Sequence, residues 1–362
     1  MAVKICLTGG PCGGKSSSIV AIEELTARGY KVLVIPETAT ELIVNGLNPG
    51  ELKTECFQRL VFEKQLNKER LYEKAAEFFS KAVIICDRGF FDALAYMNHD
   101  MFISLAKEYG MTESDLYAQY DGVIHLVTAA DGTNHYTLEN NKARTETAEE
   151  AIIADRLTRA AWCGHPHLRV IDNSTGFNEK IKRVLEEIMS LLGEPFPMEI
   201  ERKFLIKKPD TSIFDRLEFC NAVEISQTYL TSSDKNTERR VRQRGTKEKG
   251  YNYYYTEKTA VDSCSRIEIE KKISQREFCE FLSEADPLRY TVRKRRYCFL
   301  YKNQYFELDI YPFCNEHAII EVELKDKNTP VELPDFLEII KEVTGIKEYS
   351  NASISETLAI PL

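Results

Sequence analysis

Nine residues near the start of the chain have the composition of a phosphate-binding loop. The stretch GGPCGGKSS places Gly9, Gly14, Lys15 and Ser16 in the spacing G-x-x-x-x-G-K-[ST], after an apolar strand and before a helical stretch. Glycines let backbone N–H groups turn inward around phosphates, while the lysine reaches the β- and γ-phosphates and the hydroxyl holds Mg²⁺. The alternative is a glycine-rich turn with a solvent-exposed lysine. We predict that GTP or ATP binds here, with Ser16 as a magnesium ligand and contacts from Gly9, Pro11, Gly13, Gly14, Lys15, Ser16 and Ser17.

Charged residues follow two further apolar strands. Asp87 ends the run AVIICD and Arg88 comes next, while Glu37 follows the run KVLVI after one proline. In open parallel sheets, ligands bind beyond the carboxyl ends of the strands. We therefore predict that Asp87 organises magnesium and that Glu37 and Arg88 act beside it. For Glu37 and Arg88, a helix cap or a surface ion pair is the alternative.

The sequence encodes the choice of nucleotide base only weakly. The chain has no N-K-x-D stretch, which is the usual reader of guanine. The loop DNSTG, residues 172–176, follows the fifth strand and is the predicted base-side loop, with Asn173 as its candidate contact. This loop alone does not separate adenine from guanine, so GTP and ATP both remain open.

Strand after strand in the second half of the chain carries charged residues at alternate positions. The stretch PMEIERKFLI puts Glu199, Glu201 and Lys203 on one side of a strand, because side chains alternate between the two faces. A single pair of charged residues at alternate positions is explained by a solvent-exposed face of the strand. The inference therefore depends on the recurrence of such pairs, called charged doublets, in strand after strand. The later charged residues are Arg240, Arg242, Arg244, Lys258, Glu268, Glu270, Lys294, Arg296, Glu307, Asp309, Glu321 and Glu323.

The succession of doublets predicts an enclosed, charged interior. If the apolar faces of the strands pack outward, the charged faces point into a closed barrel. A barrel of about eight strands has room only for side chains or one small ligand. Since unpaired buried charges are costly, we expect a bound polyphosphate and Mg²⁺ or Mn²⁺ to balance them. The alternative is a sheet with a salt-bridged solvent face.

Two kinds of pattern divide the chain. Residues 1–193 alternate apolar, β-branched strands with helices, which predicts an α/β domain with a parallel sheet. The stretch GEPFP then ends the last helix, because its prolines cannot sit inside one. Residues 194–362 have short alternating strands, with SQREFCEFLSEA and LPDFLEIIKEVTG as predicted helices. We predict a second, α+β domain built on an antiparallel closed barrel.

Composition narrows the functional classes. The net charge of −9 argues against a general nucleic-acid binder. No apolar run approaches the roughly 20 residues of a membrane span. The ten cysteines are scattered without metal-ligand spacing, which indicates reduced thiols and a cytoplasmic location.

The first half resembles P-loop kinases of the deoxynucleoside and nicotinamide-riboside type. The phosphate loop, Glu37 and the Asp87–Arg88 pair match positions of these kinases, which implies that Glu37 serves as base or metal partner. Gly89 departs from the pattern, since deoxynucleoside kinases usually have a hydroxyl there, and this leaves the phosphate acceptor open. The stretch KARTETAEEAIIADRLTRA looks like their lid, with Arg144, Arg156 and Arg159 as candidates to clamp the transferred phosphate; an ordinary surface charge is the alternative for each.

The second half resembles the CYTH, or triphosphate tunnel, family. The motifs E-x-E-R-K-F, R-x-R, T-x-K, E-x-E, K-x-R-Y, E-x-D and E-x-E occur in this order over about residues 198–325. The resemblance implies a triphosphate held in a barrel with divalent cations. The implied metal ligands are Glu199, Glu201, Glu321 and Glu323, with Asp309 as a further ligand and Glu307 beside it. The implied triphosphate ligands are Lys203, Arg240, Arg242, Lys258, Lys294 and Arg296.

The pairing of these two halves resembles the TRPL-translocation-defect protein family. That resemblance implies GTP binding, binding of phosphoinositide or phosphatidic acid head groups, and a role in trafficking an unknown protein cargo. It also implies a cytoplasmic protein that associates peripherally with the endosomal or plasma membrane. One function is thus a nucleotide-binding switch with a phosphate-binding tunnel. The other is a metal-dependent enzyme, either a small-molecule kinase or a hydrolase of tripolyphosphate or nucleoside triphosphates.

Overall fold

Two compact units make up the chain, Met1–Leu192 and Gly193–Leu362, here called unit 1 and unit 2. The computed structural model describes residues 2–21, 23–132, 147–194, 200–234, 237–260, 266–324 and 329–361. Within these ranges, no helix is both long and apolar enough to span a bilayer.

Unit 1 contains a five-stranded parallel sheet in the order β2-β3-β1-β4-β5. Its strands are β1 (Val3–Gly9), β2 (Lys31–Ile35), β3 (Ala82–Asp87), β4 (Gly122–Leu126) and β5 (Leu168–Ile171). The central strands are almost entirely buried, as expected when helices cover both faces of a parallel sheet. The predicted parallel α/β architecture is therefore confirmed, and β1 and β3 both end at the edge where ligands bind in such sheets.

Helices connect these strands. They are α1 (Lys15–Ala21), α2 (Glu23–Ala27), α3 (Thr38–Val44), α4 (Thr54–Ala76), α5 (His99–Glu108), α6 (Glu113–Tyr117), α7 (Ala148–Trp162) and α8 (Phe177–Leu191), with a 3₁₀ helix at Phe90–Ala95. Helix α7 begins in a capping box, in which the hydroxyl of Thr147 accepts from the backbone N–H of Glu150 at 3.2 Å. Val184 and Ile188 of α8 pack on the core of the sheet, and this contact fixes one helix beside the phosphate loop.

Unit 2 contains a nine-stranded antiparallel sheet in the order β10-β9-β8-β7-β11-β12-β13-β6-β14. Its strands are β6 (Glu201–Lys207), β7 (Cys220–Leu230), β8 (Thr237–Thr246), β9 (Gly250–Ala260), β10 (Arg266–Ile273), β11 (Val292–Tyr301), β12 (Gln304–Ile310), β13 (His317–Glu323) and β14 (Ile339–Glu342). The predicted antiparallel sheet is confirmed. Among the described residues no pairing joins the edge strands β10 and β14, so the predicted closed barrel is not found.

One face of this sheet is apolar and covered. Phe204, Phe306 and Ile320 form a core with Phe214, which lies in a 3₁₀ helix at Thr211–Arg216, and with Leu337. Helix α9 (Gln275–Phe281) packs Phe278 and Phe281 against Tyr253 and Tyr255 of β9, and α10 (Asn351–Thr357) follows near the end of the chain. Because side chains alternate along a strand, covering this face assigns the charged residues between them to the opposite face.

The predicted helix in the stretch LPDFLEIIKEVTG is wrong. The sequence predicts a helix there, whereas the structure places β14 in it, paired with β6 through Ile339 opposite Ile206 and Lys341 opposite Leu205. Pairing with the open edge of β6 satisfies the backbone groups and buries Leu337 and Ile339 against the apolar face. Tertiary pairing therefore overrides the local helical pattern.

Candidate functional site

The phosphate loop of unit 1 joins the end of β1 to the start of α1. Gly9 and Gly14 have φ values of 131° and 98°, which favour glycine, and Cys12 has a φ of 58°. A Cβ atom on Gly9 would lie 2.1 Å from the carbonyl oxygen of Leu126, so only glycine fits against β4. The loop therefore has the backbone that its glycine spacing predicts, with the first turn of α1 at its end.

Lys15 lies inside this loop. Its side chain is 7% exposed, and its Nζ atom donates to the carbonyl oxygens of Gly9 at 3.2 Å and Gly10 at 3.3 Å. Burial lowers the pKa of Lys15, and the nearby Arg88 lowers it further. Ser16 and Ser17 are exposed on the first turn of α1, where hydroxyl groups can reach a ligand.

Glu37 and Arg88 form an ion pair beside the loop. The Nε atom of Arg88 lies 2.5 Å from Oε1 of Glu37, and Nη1 donates to the Gly9 carbonyl at 3.2 Å. Burial alone would raise the pKa of Glu37, but Arg88 and Lys15 outweigh it and lower that pKa to about 2. Arg88 has a φ of 72°, an unfavourable value for a residue with a side chain, so its neighbours must hold it in place.

Asp87 is the carboxylate beside the loop whose surroundings best suit a metal ligand. It is 9% exposed, and its Oδ1 atom is buried with no hydrogen-bond partner among the described residues. Burial raises the pKa of Asp87 to about 6, although Lys15 acts in the opposite direction. A buried carboxylate oxygen with unused acceptor capacity fits a hard cation such as Mg²⁺, so Asp87 and the hydroxyl of Ser16 would hold the ion.

Asp92 is a residue beside the phosphate loop that sequence reasoning missed. Its carboxylate accepts from Thr8 Oγ1 at 2.6 Å, from Arg88 Nη1 at 2.9 Å and from the Gly89 backbone N–H at 3.0 Å. The indole N–H of Trp162 donates to the same carboxylate at 3.1 Å. Asp92 therefore holds Arg88 beside the phosphate loop, and no recognised motif includes it.

Asp155 on α7 is a second such residue, and it ties the loop to two other elements. Its Oδ1 atom accepts from the backbone N–H groups of Gly10 and Thr128, both at 2.9 Å, and His125 Nε2 lies 3.1 Å away. Arg159 donates to Oδ2 at 2.7 Å. Burial alone would raise the pKa of Asp155, but His125, Arg159 and the Gly10 N–H outweigh it and lower that pKa.

Replacing Asp155 with alanine should destabilise unit 1 by about 2–3 kcal/mol, because a buried cation and two N–H groups would lose their acceptor. Nucleotide affinity should fall about tenfold, since Gly10 would no longer be held. The matched control is Asp121→Ala, in which an exposed carboxylate that accepts from the Lys4 backbone N–H at 2.7 Å is removed. Thermal unfolding would measure the loss of stability, and calorimetry would measure nucleotide affinity. Equal nucleotide affinity in the two variants would contradict a positioning role for Asp155.

The other predicted nucleotide contacts belong to elements other than the loop. The Asn173 side chain donates to the carbonyls of Thr128 at 2.8 Å and Asp131 at 2.7 Å, and accepts from Lys180 at 2.7 Å. Asn173 therefore holds the segment after β4. Of the three lid arginines, Arg159 contacts Asp155, Arg156 is exposed on α7, and Arg144 lies outside the described residues.

The charged side chains of unit 2 share one face of its sheet. Directly opposite residues in paired strands point to the same side, and the register places Lys203 opposite Glu321, Glu321 opposite Glu307, and Asp309 opposite Arg296. The turn at Lys302 and Asn303, with φ values of 48° and 63°, sets the register of β11 and β12. This charged face carries Glu201, Lys203, Arg240, Arg242, Arg244, Lys258, Glu270, Lys294, Arg296, Glu307, Asp309, Glu321 and Glu323.

Arg296 is the centre of a buried ion network on the charged face. Its Nε and Nη2 atoms each lie 2.6 Å from an oxygen of Asp309, its Nη2 lies 3.2 Å from Glu321, and its Nη1 contacts Glu307. Lys294 lies 2.5 Å from Asp309. Burial and the neighbouring Arg296 lower the pKa of Lys294 to about 8 in spite of that contact.

Lys203 links two of the predicted metal ligands. Its Nζ atom lies 2.7 Å from Glu321 and 3.3 Å from Glu201. Burial alone would lower the pKa of Lys203, but the two carboxylates outweigh it and raise that pKa. Glu323 lies opposite Glu201 in the register and is exposed, as is part of the Glu201 side chain.

The arginines of β8 lie on the other side of the charged face. The Nη2 atom of Arg242 lies 2.9 Å from both oxygens of Glu270, which also accepts from Thr256 at 3.0 Å. Arg244 is buried and lies 3.5 Å from the sulfur of Cys298. The carboxylates thus lie mainly on β12, β13 and β6, and the cations mainly on β11, β8 and β9.

Comparison with known proteins supports both halves of this description. Residues 4–180 match the model of an AAA domain, and residues 197–358 match the model of a CYTH domain. The inorganic triphosphatase of Nitrosomonas europaea is 35% identical over 169 residues, which are 45% of this chain and 99% of that protein. The chain belongs to the CYTH family. The predicted pair of domains is confirmed, whereas the narrower resemblance to the TRPL-translocation-defect family stays a prediction.

Two solved structures are also similar to part of this chain, and unit 2 is called the CYTH unit from here on. They are a crystal structure of the hypothetical protein NE1496 and one of the inorganic triphosphatase NE1496. Both are 29% identical and have a TM-score of 0.31, and they cover 45% of this chain. The match spans 99% and 97% of the respective solved chains.

The CYTH unit offers oxygen donors of the kind that Mg²⁺ and Mn²⁺ prefer. In the described parts of the chain, no three carboxylate, histidine or cysteine side chains form a cluster that could hold a metal ion. Asp309 and Glu321 contact lysine and arginine, while Glu201 and Glu323 face each other in the register with like charge. Glu199 lies outside the described residues. The donor chemistry fits a divalent cation, and its binding remains a proposal.

Proposed function

We propose that the CYTH unit is a metal-dependent phosphohydrolase that cleaves tripolyphosphate or nucleoside triphosphates. The observation that carries this proposal is the burial of Arg296, 6% exposed, among three carboxylates on the charged face. Burying so many charges without a ligand to recognise is costly. The inorganic triphosphatase activity named for the bacterial relative is consistent with this chemistry.

The segregation of charge supports a triphosphate rather than a single phosphate. The cations lie on β9, β8 and β11, with β7 between β8 and β11, and neighbouring strands are about 4.8 Å apart, so the cations are spread along a length that a chain of phosphoryl groups can follow. The carboxylates of β12, β13 and β6 lie beside them. A triphosphate with its divalent cation would therefore lie across the charged face, with phosphate oxygens towards Arg240, Arg242, Lys258, Lys294 and Arg296.

The roles of the side chains follow from this arrangement. A divalent cation at such a site lowers the pKa of a water molecule and so supplies a nucleophile at neutral pH. Glu201, Glu321 and Glu323 do not form a metal-binding cluster in the described structure, so they would have to converge to hold the cation, and Glu199 is the further candidate from the sequence. The arginines and Lys203 would hold the phosphoryl oxygens and stabilise the charge that develops on them. These roles require Glu321 to exchange its contacts with Lys203 and Arg296 for the cation.

A closed barrel around the charged face belongs to this proposal. Asp309 is fully buried, and Arg296, Glu321 and Lys294 are nearly so. The charged face of an open sheet would leave such side chains in contact with water. Their burial therefore favours a sheet that curves around them, as the sequence predicts.

In unit 1 we propose binding of GTP or ATP with Mg²⁺. The backbone of the phosphate loop, the position of Lys15 and the unused oxygen of Asp87 support it. A small-molecule kinase is the alternative for unit 1, with Arg88 held beside the loop. The resemblance also implies lipid head-group binding and trafficking of a protein cargo, and these remain expectations because no contact among the described residues favours them.

The test of the hydrolase is phosphate release from tripolyphosphate, ATP and GTP by the purified chain. We expect turnover of tripolyphosphate with Mg²⁺ or Mn²⁺ and none with EDTA. A Lys15→Ala variant distinguishes hydrolysis by the CYTH unit from hydrolysis at the phosphate loop of unit 1, because it should keep turnover of tripolyphosphate. Absence of metal-dependent release from all three substrates would reject the proposal.

Replacing Glu201 with glutamine should lower metal-dependent turnover of tripolyphosphate about ten- to a hundredfold, because a neutral amide is a weaker ligand of a divalent cation. The loss should be smaller at higher Mn²⁺ concentration, which a purely structural defect would not show. Glu338→Gln is the matched control, since Glu338 forms an exposed ion pair with Lys207 at 3.0 Å. Equal turnover in the wild-type chain and the Glu201 variant would exclude Glu201 as a metal ligand.

A further inference from the structure

A groove lies on the face of the CYTH sheet opposite the charged face. It has a volume of about 460 Å³, and its polar lining includes Lys208, Glu224, Ser226, Gln243, Arg293 and Arg295. The register places Ser226 opposite both Gln243 and Arg293, and Glu224 opposite Arg295. Ile225 and Lys294, which alternate with these residues along their strands, also line the groove, so the outer groove, as we call it, adjoins the charged face at Lys294.

The polar side chains of the outer groove are not engaged with one another. The side chains of Ser226, Gln243 and Arg293 make no hydrogen bond or ion pair with any residue that the structure describes. The same holds for Glu224, and Arg295 contacts only the ring of Tyr297, with 5.4 Å between the guanidinium and the ring centre. Five polar groups that converge on one groove without internal partners are available to a ligand.

The charge of the outer groove selects the ligand. Its lining residues include four cations and one carboxylate, a local charge of 4 − 1 = +3, whereas the whole chain has a net charge of −9. Arg293 and Arg295 are two residues apart on one strand, about 6.6 Å, so both guanidinium groups can reach the same tetrahedral anion. Planar guanidinium groups bind phosphate in a two-pronged fashion, which favours an oxyanion over other ligands.

We propose that the outer groove binds a soluble phosphomonoester that carries hydroxyl groups, such as a sugar phosphate. The phosphate, with a charge of about −2, lies between Arg293 and Arg295 and within reach of Lys208. Glu224 accepts hydrogen bonds from hydroxyl groups of the ligand, and Gln243 and Ser226 complete the polar contacts. The volume of the groove lies in the range of small-molecule sites. This inference does not depend on hydrolysis at the charged face.

The experiment is calorimetry with glucose 6-phosphate as the probe. The wild-type chain should bind it saturably and should not bind glucose. Arg293→Gln with Arg295→Gln should weaken binding at least about tenfold, because two charge-assisted contacts to the phosphate are lost. Both arginines are exposed, so the double variant should fold. The control is Arg276→Gln, whose side chain is 89% exposed on α9 outside the groove and which should keep wild-type affinity.

A second variant tests the hydroxyl contacts. Glu224→Gln should reduce the preference for glucose 6-phosphate over inorganic phosphate at least about threefold, since an amide accepts hydroxyl hydrogen bonds less strongly than a carboxylate. No saturable binding of glucose 6-phosphate to the wild-type chain would overturn the proposal. Unchanged affinity in the double arginine variant would do so as well, because the ligand would then lie elsewhere. Both measurements are made without turnover, so their failure is distinct from a failure of the proposed hydrolase.

Discussion

Replacing Lys15 with alanine should weaken the binding of ATP or GTP to unit 1 by about a hundredfold. The Nζ atom of Lys15 lies within the phosphate loop, 3.2 and 3.3 Å from the carbonyls of Gly9 and Gly10. A nucleotide would replace these neutral acceptors with charged phosphate oxygens. Hydrogen bonds to charged groups contribute about 1.5–3 kcal/mol, and the low exposure of Lys15 protects them from solvent screening.

The same variant should remain folded. Among the described residues, Lys15 forms hydrogen bonds to two backbone carbonyl oxygens, so its removal breaks no ion pair at hydrogen-bond distance. Its loss also removes a cation that offsets the effect of burial on Asp87, so the pKa of Asp87 should rise further above about 6. Calorimetry would measure nucleotide affinity, with Lys182→Ala as the control, because Lys182 is an exposed lysine on α8. Nucleotide affinity equal to that of the wild-type chain would contradict the assignment of the loop.

The phosphate loop could be predicted because its determinants are local. Gly9, Gly14 and Lys15 lie within a few residues of one another, and the positive φ values at both glycines follow from the spacing. Asp155 could not be predicted, since it reaches Gly10 from 145 residues further along the chain. Only the packing of α7 against the sheet brings that carboxylate to the loop, and a helical aspartate has no local signal for such a contact.

In the CYTH unit, the alternation of side chains along each strand predicts which residues share a face, but not which residues form ion pairs with one another. The doublets at Lys294 and Arg296 and at Glu307 and Asp309 have the same parity along their strands, and pairing of β11 with β12 places them together. The choice of partner depends on strand order, which the sequence does not encode locally. The structure therefore assigns Asp309 to Arg296 and Lys294, whereas the resemblance implies a metal ligand there.

Replacing Arg296 with methionine should abolish turnover of tripolyphosphate and destabilise the CYTH unit by about 3–5 kcal/mol. Methionine fills much of the volume but leaves Glu307, Asp309 and Glu321 without their shared cation. The destabilisation comes mainly from carboxylates that stay buried after losing this cation, and less from the lost attraction itself. Arg202→Met is the matched control on the same sheet: Arg202 pairs with Glu342 at 2.6 Å at the surface, so its loss should cost less than about 1 kcal/mol and leave turnover intact.

The pH dependence of unfolding separates lost charge compensation from lost packing. In the wild-type chain, burial alone would raise the pKa of Glu321, but Lys203, Arg296 and Lys294 outweigh it and hold that pKa well below its usual value. Glu321 therefore stabilises the fold above the unfolded pKa of about 4.3, and this contribution is lost as the pH falls below it. Without Arg296 the pKa of Glu321 should rise, so protonation in mild acid relieves the buried charge. The difference in unfolding free energy between Arg296→Met and the wild-type chain should then be largest near pH 7 and shrink towards pH 4. A constant difference across this range would mean that Arg296 stabilises the sheet by packing alone.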